Sequence, residues 1–215
     1  MRNDHLRWAG TGCALLAAVL TVLVVAGWQP LLSYDDQVAR DLHGQAVARA
    51  GFTHAVRILS DWVWDPWTMR ALAAVACVTL WWRGDRDRAL RVGLATLVSA
   101  AVQQGVKGLV GRERPVWPDP VASAHFSAYP SGHAMTATVV CGLLLWLLPR
   151  RTPAWWVGTA WAVAAVSVIG VGFTRLYLGV HWVSDVVAGW LLGVAFVALA
   201  TSGSVRRRGS GTAGP

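Results

Sequence analysis

Six apolar runs decide what this chain can fold into. The first covers residues 8–28, about 20 residues, enough to cross a bilayer as a helix. Inside a bilayer no water satisfies the backbone, so spanning segments are helices or closed barrels. Similar runs recur at 66–82, 89–110, 131–148, 155–173 and 181–200, each bounded by charged or turn residues. The expected architecture is therefore all-α, a six-transmembrane-helix bundle. Residues 1–205 are expected to form a single integral membrane domain, and residues 206–215, with Arg206, Arg207 and Arg208 ahead of a Gly/Ser/Thr segment, a disordered cytoplasmic tail. A cleavable signal peptide is the rival reading of the first run, through Val24 and Ala26; an uncleaved anchor is the expectation.

Composition settles what the net charge of +8 means: 55% of residues are hydrophobic and 14% charged, against about 25% charged in a soluble domain. The basic residues do not form a nucleic-acid patch. They fall in short clusters between apolar runs, as topology signals do. With six spans, 11 of the 19 basic residues lie on the side of both termini, at Arg2, Arg7, the turns Arg83–Arg91 and Arg150–Arg151, and the tail. The positive-inside rule puts that side in the cytoplasm. Trp8, Trp28, Trp67, Trp82, Trp155 and Trp182 fall near span ends, where an aromatic belt would lie. Cys13, Cys77 and Cys141 sit in apolar runs without CxxC spacing and read as small core residues.

Residues 29–65 are the longest polar stretch. Val38, Leu42 and Ala46 recur at helical spacing, as do Phe52, Val56, Leu59 and Val63. They suggest short amphipathic helices between the first two spans, lying on the membrane surface. Asp35, Asp36, His43 and His54 show no recurring ligand spacing and read as a solvated face, not a metal site.

Three short stretches carry chemistry. Arg175, His181 and Asp185 lie in the sequence Thr-Arg-Leu-Tyr-Leu-Gly-Val-His-Trp-Val-Ser-Asp. His181 and Asp185 are four apart, so on a helix the carboxylate shares a face with the imidazole, fixes its tautomer and leaves the other ring nitrogen free. Lys107 and Arg114-Pro115 form the second stretch; if the third run continued as helix to Pro115, the two cations would face the same way. Lys107 is the only lysine among the 19 basic residues, a compact point charge that arginine does not reproduce. Tyr129-Pro130-Ser131-Gly132-His133 is the third, with Ser131 placed to cap the fourth run. In the six-span topology all of these residues gather on the outer face. Gly105, Gly108 and Gly111, spaced by three, would let another helix approach closely or leave a sideways opening.

These stretches resemble the three motifs of the type 2 phosphatidic acid phosphatase (PAP2) superfamily, K-x6-RP, PSGH and SR-x5-H-x3-D. The one departure is Thr174 in place of the usual Ser, which keeps the hydroxyl. The resemblance spans Lys107 to Asp185. It implies that Lys107, Arg114, Ser131, Gly132 and Arg175 hold a phosphate without metal. It also implies a catalytic set of His181, His133 and Asp185. His181 attacks phosphorus to give a phosphohistidine, His133 protonates the leaving oxygen and then activates water, and Asp185 orients His181. No metal or other cofactor is expected. Tyr129 and Tyr177 are expected to pack the site, His125 to lie at the surface, and Arg112 either to serve the site or to reach lipid headgroups.

The expected reaction is hydrolysis of a lipid phosphate or polyprenyl pyrophosphate at the outer face. Phosphatidic acid, phosphatidylglycerol phosphate and polyprenyl pyrophosphate all carry a terminal phosphate on an apolar tail. The expected partners are therefore that substrate and the membrane lipids. A lipid headgroup phosphotransferase of related architecture is one alternative. A non-enzymatic transporter is the other, although the chain shows no internal repeat.

Overall fold

The structure, a computed structural model, describes residues 2–203. The predicted tail at 206–215 lies outside them. Every regular element among the described residues is a helix, with no strand: α1 Arg2–Val25, α2 Gln29–Ala48, α3 Ala50–Ile58, α4 Pro66–Trp82, α5 Arg86–Val110, α6 Gly132–Leu147, α7 Ala154–Tyr177 and α8 Val183–Thr201. A π-helical turn, Leu59–Val63, follows α3. By length and composition α1, α5, α7 and α8 suffice to cross a membrane; α6 is apolar but shorter.

The most buried helix is α6, which packs against α4, α5, α7 and α8. Its buried face mixes Met135, Val139, Val140 and Leu143 with Thr136 and Thr138. Met69 and Ala73 of α4, Val92 and Ala95 of α5 and Val171 of α7 close the same core. Two glycines allow α8 to approach closely. A Cβ on Gly189 would come within 2.7 Å of the Ser131 carbonyl oxygen, and one on Gly193 within 2.6 Å of Thr138. On the other side of α8, α1 is held by Val24, which joins Tyr129 and Ala188 in a small buried cluster, and by a 2.8 Å hydrogen bond between Thr21 Oγ1 and the Tyr129 hydroxyl.

Three expectations need correction. First, α2 and α3 do not turn a polar face wholly to solvent. The buried stripe of α2 is Asp35, Ala39, His43 and Ala46, so two residues assigned to a solvated face are interior. Asp36 pairs instead with Arg40 at 2.6 Å on the exposed side. In the next segment Thr53, Val56 and Ser60, an i, i+3, i+7 stripe, point inward while Phe52, Leu59 and Val63 are exposed, so the buried face lies one position round from the expected one. Second, α5 does not continue to Pro115. Gly111 ends it in the left-handed conformation, φ 61°, with its N–H donated to the Lys107 carbonyl. Third, among the described residues no helix packs closely on Gly105, Gly108 or Gly111; a Cβ on any of them would meet nothing within 4 Å.

Trp8, Trp28, Trp67, Trp82 and Trp155 are exposed at or beside helix ends, and the cysteines are free and half-buried. The glycine geometry makes a paired prediction. Gly189→Ala forces α8 away from the start of α6 and should destabilise the protein by about 1–3 kcal/mol. Gly108→Ala, on an open helical surface, should be neutral or stabilising by about 0.5–1 kcal/mol. Thermal unfolding of both variants in detergent checks this.

Candidate active site

The site is built where α5, α6, α7 and α8 end on the same side. His181 belongs to the turn between α7 and α8, one residue ahead of the Trp182 N-cap of α8. The turn is tight because Gly179 is left-handed, φ 66°, and a Cβ there would collide with the Trp117 indole at 2.5 Å. Trp117 donates its indole N–H to the Gly179 carbonyl at 2.9 Å, tying the α5–α6 loop to this turn. His43 stacks on the other face of Trp117, ring centroids 4.1 Å apart, and bonds Asp119 at 3.1 Å.

The pairing of His181 with Asp185 is present, but through a helix start and not along a helix face. Asp185 occupies the third position of α8. Its Oδ2 accepts from the Trp182 backbone N–H at 2.9 Å and lies 3.2 Å from His181 Nδ1. The other ring nitrogen, Nε2, lies 3.2 Å from Arg114 Nη1. Guanidinium only donates, so Nε2 must accept; the proton is on Nδ1 and is donated to Asp185. The tautomer read from spacing is the one these neighbours impose. His181 is 1% exposed and Asp185 fully buried. Burial first, then Arg114, Arg175 and Lys107, against a smaller opposing effect from the Ala128 backbone, hold the imidazole neutral well below the ordinary histidine range.

Lys107, Arg114 and Arg175 surround this pair. Lys107, on α5, donates to the Ser127 carbonyl. Arg114 reaches the site from the loop. It donates to the carbonyls of Phe126 at 2.9 Å, His125 at 3.2 Å and Ser127 at 3.4 Å, and to that of Val180. Phe126 is left-handed, φ 68°, within this run of inward-turned carbonyls. The His125 side chain is exposed, as expected; its carbonyl does the work. Arg175, on α7, is 5% exposed. It donates to Ser60 Oγ at 2.8 Å and lies 3.7 Å from the Asp61 carboxylate, both on the π turn. Its Nε finds no hydrogen-bond partner among the described residues. A buried guanidinium N–H without a partner is costly, and an anion is what it suits.

Ser131 is buried and caps α6, its Oγ accepting from Ala134 N at 3.5 Å. Its own N–H donates to the Asp185 carbonyl at 2.9 Å, joining two of the sequence motifs directly. Gly132 opens α6 with a free helical N-terminus; a Cβ there would press on the Gln103 amide at 3.0 Å. His133, half-buried, is acted on by Arg175, His181, Arg114 and Lys107. All eight predicted site residues thus converge. Tyr129 and Tyr177 are buried and bonded away from the site, to Thr21 and to the Gln45 carbonyl at 3.2 Å, as expected of packing residues.

Four participants were not assigned from sequence. Arg112 donates to Asp185 Oδ1 at 2.7 Å, so it serves the site and not a lipid headgroup. Asp35 stands behind it at 2.8 Å. Ser60 and Asp61 hold Arg175. The available signal was a polar residue on a helical stripe with Ala39, His43 and Ala46.

A profile of the PAP2 superfamily matches residues 88–208, more than half of the chain. The chain belongs to the PAP2 superfamily. Undecaprenyl-diphosphatase of Sulfolobus acidocaldarius is 39% identical over 66 residues, 31% of this chain and 28% of that protein. Phosphatidylglycerophosphatase B of Bacillus subtilis is 35% identical over 91 residues, 41% of this chain and 44% of that protein. The matched stretches span less than half of either relative. The crystal structure of a transmembrane PAP2-type phosphatidylglycerolphosphate phosphatase from Bacillus subtilis superposes with a TM-score of 0.71 at 21% identity, covering 90% of this chain and 94% of that one. With four helices long and apolar enough to span, this PAP2 chain is an integral membrane protein.

The site's electrostatics fix a pH dependence. Protonation of Nε2 would remove its lone pair, and with it any step that uses this nitrogen as base or nucleophile. Because the imidazole is depressed below its ordinary value near 6.5, the acid limb of kcat/KM should lie below that pH. A pH–rate profile on a lipid phosphate, with activity retained as pH falls through 6.5, is the expected result.

Proposed function

We propose that this chain hydrolyses the terminal phosphate of a membrane lipid, a lipid phosphate or polyprenyl pyrophosphate, through a phosphohistidine at His181. The observation that carries the reading is the neutral imidazole between Asp185 and Arg114, its Nε2 lone pair turned toward the cations. Nε2 attacks phosphorus, and the P–O bond to the lipid breaks. His133, which takes up a proton once the bound phosphate offsets the surrounding cations, gives that proton to the departing oxygen. His133 then takes a proton from water, which attacks the phosphohistidine and releases phosphate. Lys107, Arg114, Arg175, the Ser131 hydroxyl and the Gly132 amide hold the phosphoryl oxygens, and the unpartnered Arg175 Nε supports that assignment. Phosphoryl transfer needs charge neutralisation more than covalent help, and these groups supply it without a metal ion. The relatives named as an undecaprenyl-diphosphatase and a phosphatidylglycerophosphatase support the substrate class.

The reading includes six spans in one domain, with α1 retained. Close approach of α1 to α8 supports retention: a Cβ on Gly10 would lie 2.6 Å from Ala198. With 17 residues, α4 reaches about the minimum for a span. With 16, α6 is shorter, but its neighbours shield its ends from lipid. Both termini lie in the cytoplasm and the site faces outward, on the balance of basic residues. A lipid held by its tails meets the site from the outer leaflet, which lowers the entropic cost of encounter.

His181→Ala should leave a folded protein with less than about a thousandth of wild-type phosphate release. Wild-type release should persist in EDTA. Loss of activity there with rescue by a divalent ion would overturn the metal-free mechanism. Single cysteines placed in the 116–129 loop should react with impermeant thiol reagents in intact cells. Labelling only after lysis would invert the topology.

A further inference from the structure

Asp185 is not held by His181 alone. Its second oxygen meets Arg112 Nη1 at 2.7 Å. The same nitrogen donates to Ser184 Oγ at 2.6 Å, and Nη2 donates to Asp35 Oδ2 at 2.8 Å. Asp35 in turn accepts the Ser184 backbone N–H at 2.9 Å on Oδ1 and the Ser184 hydroxyl on Oδ2. The Arg112 guanidinium lies over the Trp182 ring, 5.4 Å from its centroid. Asp35 is 1% exposed and reaches this place from α2, far from the three motifs in sequence.

We infer that Asp35 and Arg112 are positioning residues for the His181–Asp185 pair, setting both the orientation and the effective charge of the Asp185 carboxylate. The inference rests on His181 being the nucleophile. Attack on phosphorus places positive charge on the imidazole, and Asp185 stabilises it through Nδ1–H. Arg112 alone would fix Asp185 but also draw its charge away. Asp35 offsets Arg112, so the trio keeps a net charge of about −1 facing His181 while every oxygen stays ligated. The remaining charges and titratable groups that act on this pair are Lys107, Arg114, Arg175, His133 and Tyr129. None of these is an anion; Asp61 offsets Arg175 from the π turn, and the trio supplies the negative charge that bonds His181 itself.

The test is steady-state kinetics across pH on purified full-length Asp35→Asn, Arg112→Gln and the double variant, with His181→Ala as control and thermal unfolding of each. Asp35→Asn keeps the shape and the hydrogen bond to the Ser184 amide. It should lower kcat by about tenfold or more with KM within about twofold, since the loss falls on the transition state. Arg112→Gln leaves the Asp185 and Asp35 carboxylates without their shared counter-ion and should move the acid limb of kcat/KM up by about one pH unit. The double variant restores the charge balance, so its acid limb should return to within about 0.3 of wild type while kcat stays low. It also keeps the test decisive if Arg112→Gln alone does not fold. Wild-type kcat in Asp35→Asn overturns the inference. So does a loss matched by the unfolded fraction, or an acid limb in the double variant displaced by a full unit. Near wild-type turnover in His181→Ala would instead overturn the proposed reaction.

Discussion

The fold converges on one fully buried carboxylate. Taking an ionised Asp out of water costs several kcal/mol unless its oxygens are ligated. Asp185 meets that condition with donors from three parts of the chain: Arg112 from the α5–α6 loop, His181 from the α7–α8 turn, and the Trp182 amide of its own helix start. Its backbone carbonyl takes the Ser131 N–H, which sets where α6 begins. All three motif regions are therefore fixed relative to one residue. A shift of α8 along its axis would strand a buried charge and displace the α6 N-terminus together. This is why Gly189 and Gly193 matter: they allow the helix separation at which the Ser131–Asp185 bond closes.

Much of this was legible in the residues, and the reason is locality. The His181–Asp185 pair, the Ser131 cap and the helix at 66–82 depend on neighbours a few positions apart, and spacing reports such neighbours directly. Spans drawn at 89–110, 131–148 and 155–173 differ from the helices by a few residues at their ends, where caps and not hydropathy decide. What was missed depends on rotation about a helix axis. Val38, Leu42 and Ala46 define one face of α2; Asp35, Ala39, His43 and Ala46 define its neighbour. The second face is buried because Asp35 finds Arg112 and Ser184, and His43 finds Trp117, more than 70 positions away. The buried face of the next segment, Thr53, Val56 and Ser60, is likewise one position round from the apolar one. The continuation of α5 to Pro115 failed because Gly111 offers a left-handed end that satisfies a terminal carbonyl. Arg114 still arrives, delivered by the loop.

An apolar bundle gives charged groups few places to be solvated, so they concentrate where they satisfy one another. Arg175 illustrates the balance. Ser60 and Asp61 ligate one end of its guanidinium, while Nε remains unpaired among the described residues. A fully ligated Arg175 would have nothing left to offer a phosphate. An unligated one would be too costly to bury.

The same reasoning explains the carbonyls at His125, Phe126 and Ser127. In the absence of substrate, Lys107 and Arg114 must be ligated by something weaker than phosphate, or the cations would repel one another and open the site. Three successive carbonyls turned inward beside the left-handed Phe126 provide that ligation with partial charges only. A phosphate carries full negative charge and makes shorter, stronger bonds to the same donors. On the proposed reading, exchange of carbonyls for phosphate leaves neither state with bare buried charge. Arg114 has a further role in the exchange. At rest it holds the Nε2 lone pair of His181, and a phosphate that recruits Arg114 takes over that donor. In the proposed reaction this would free the lone pair toward phosphorus and couple binding to activation of the nucleophile.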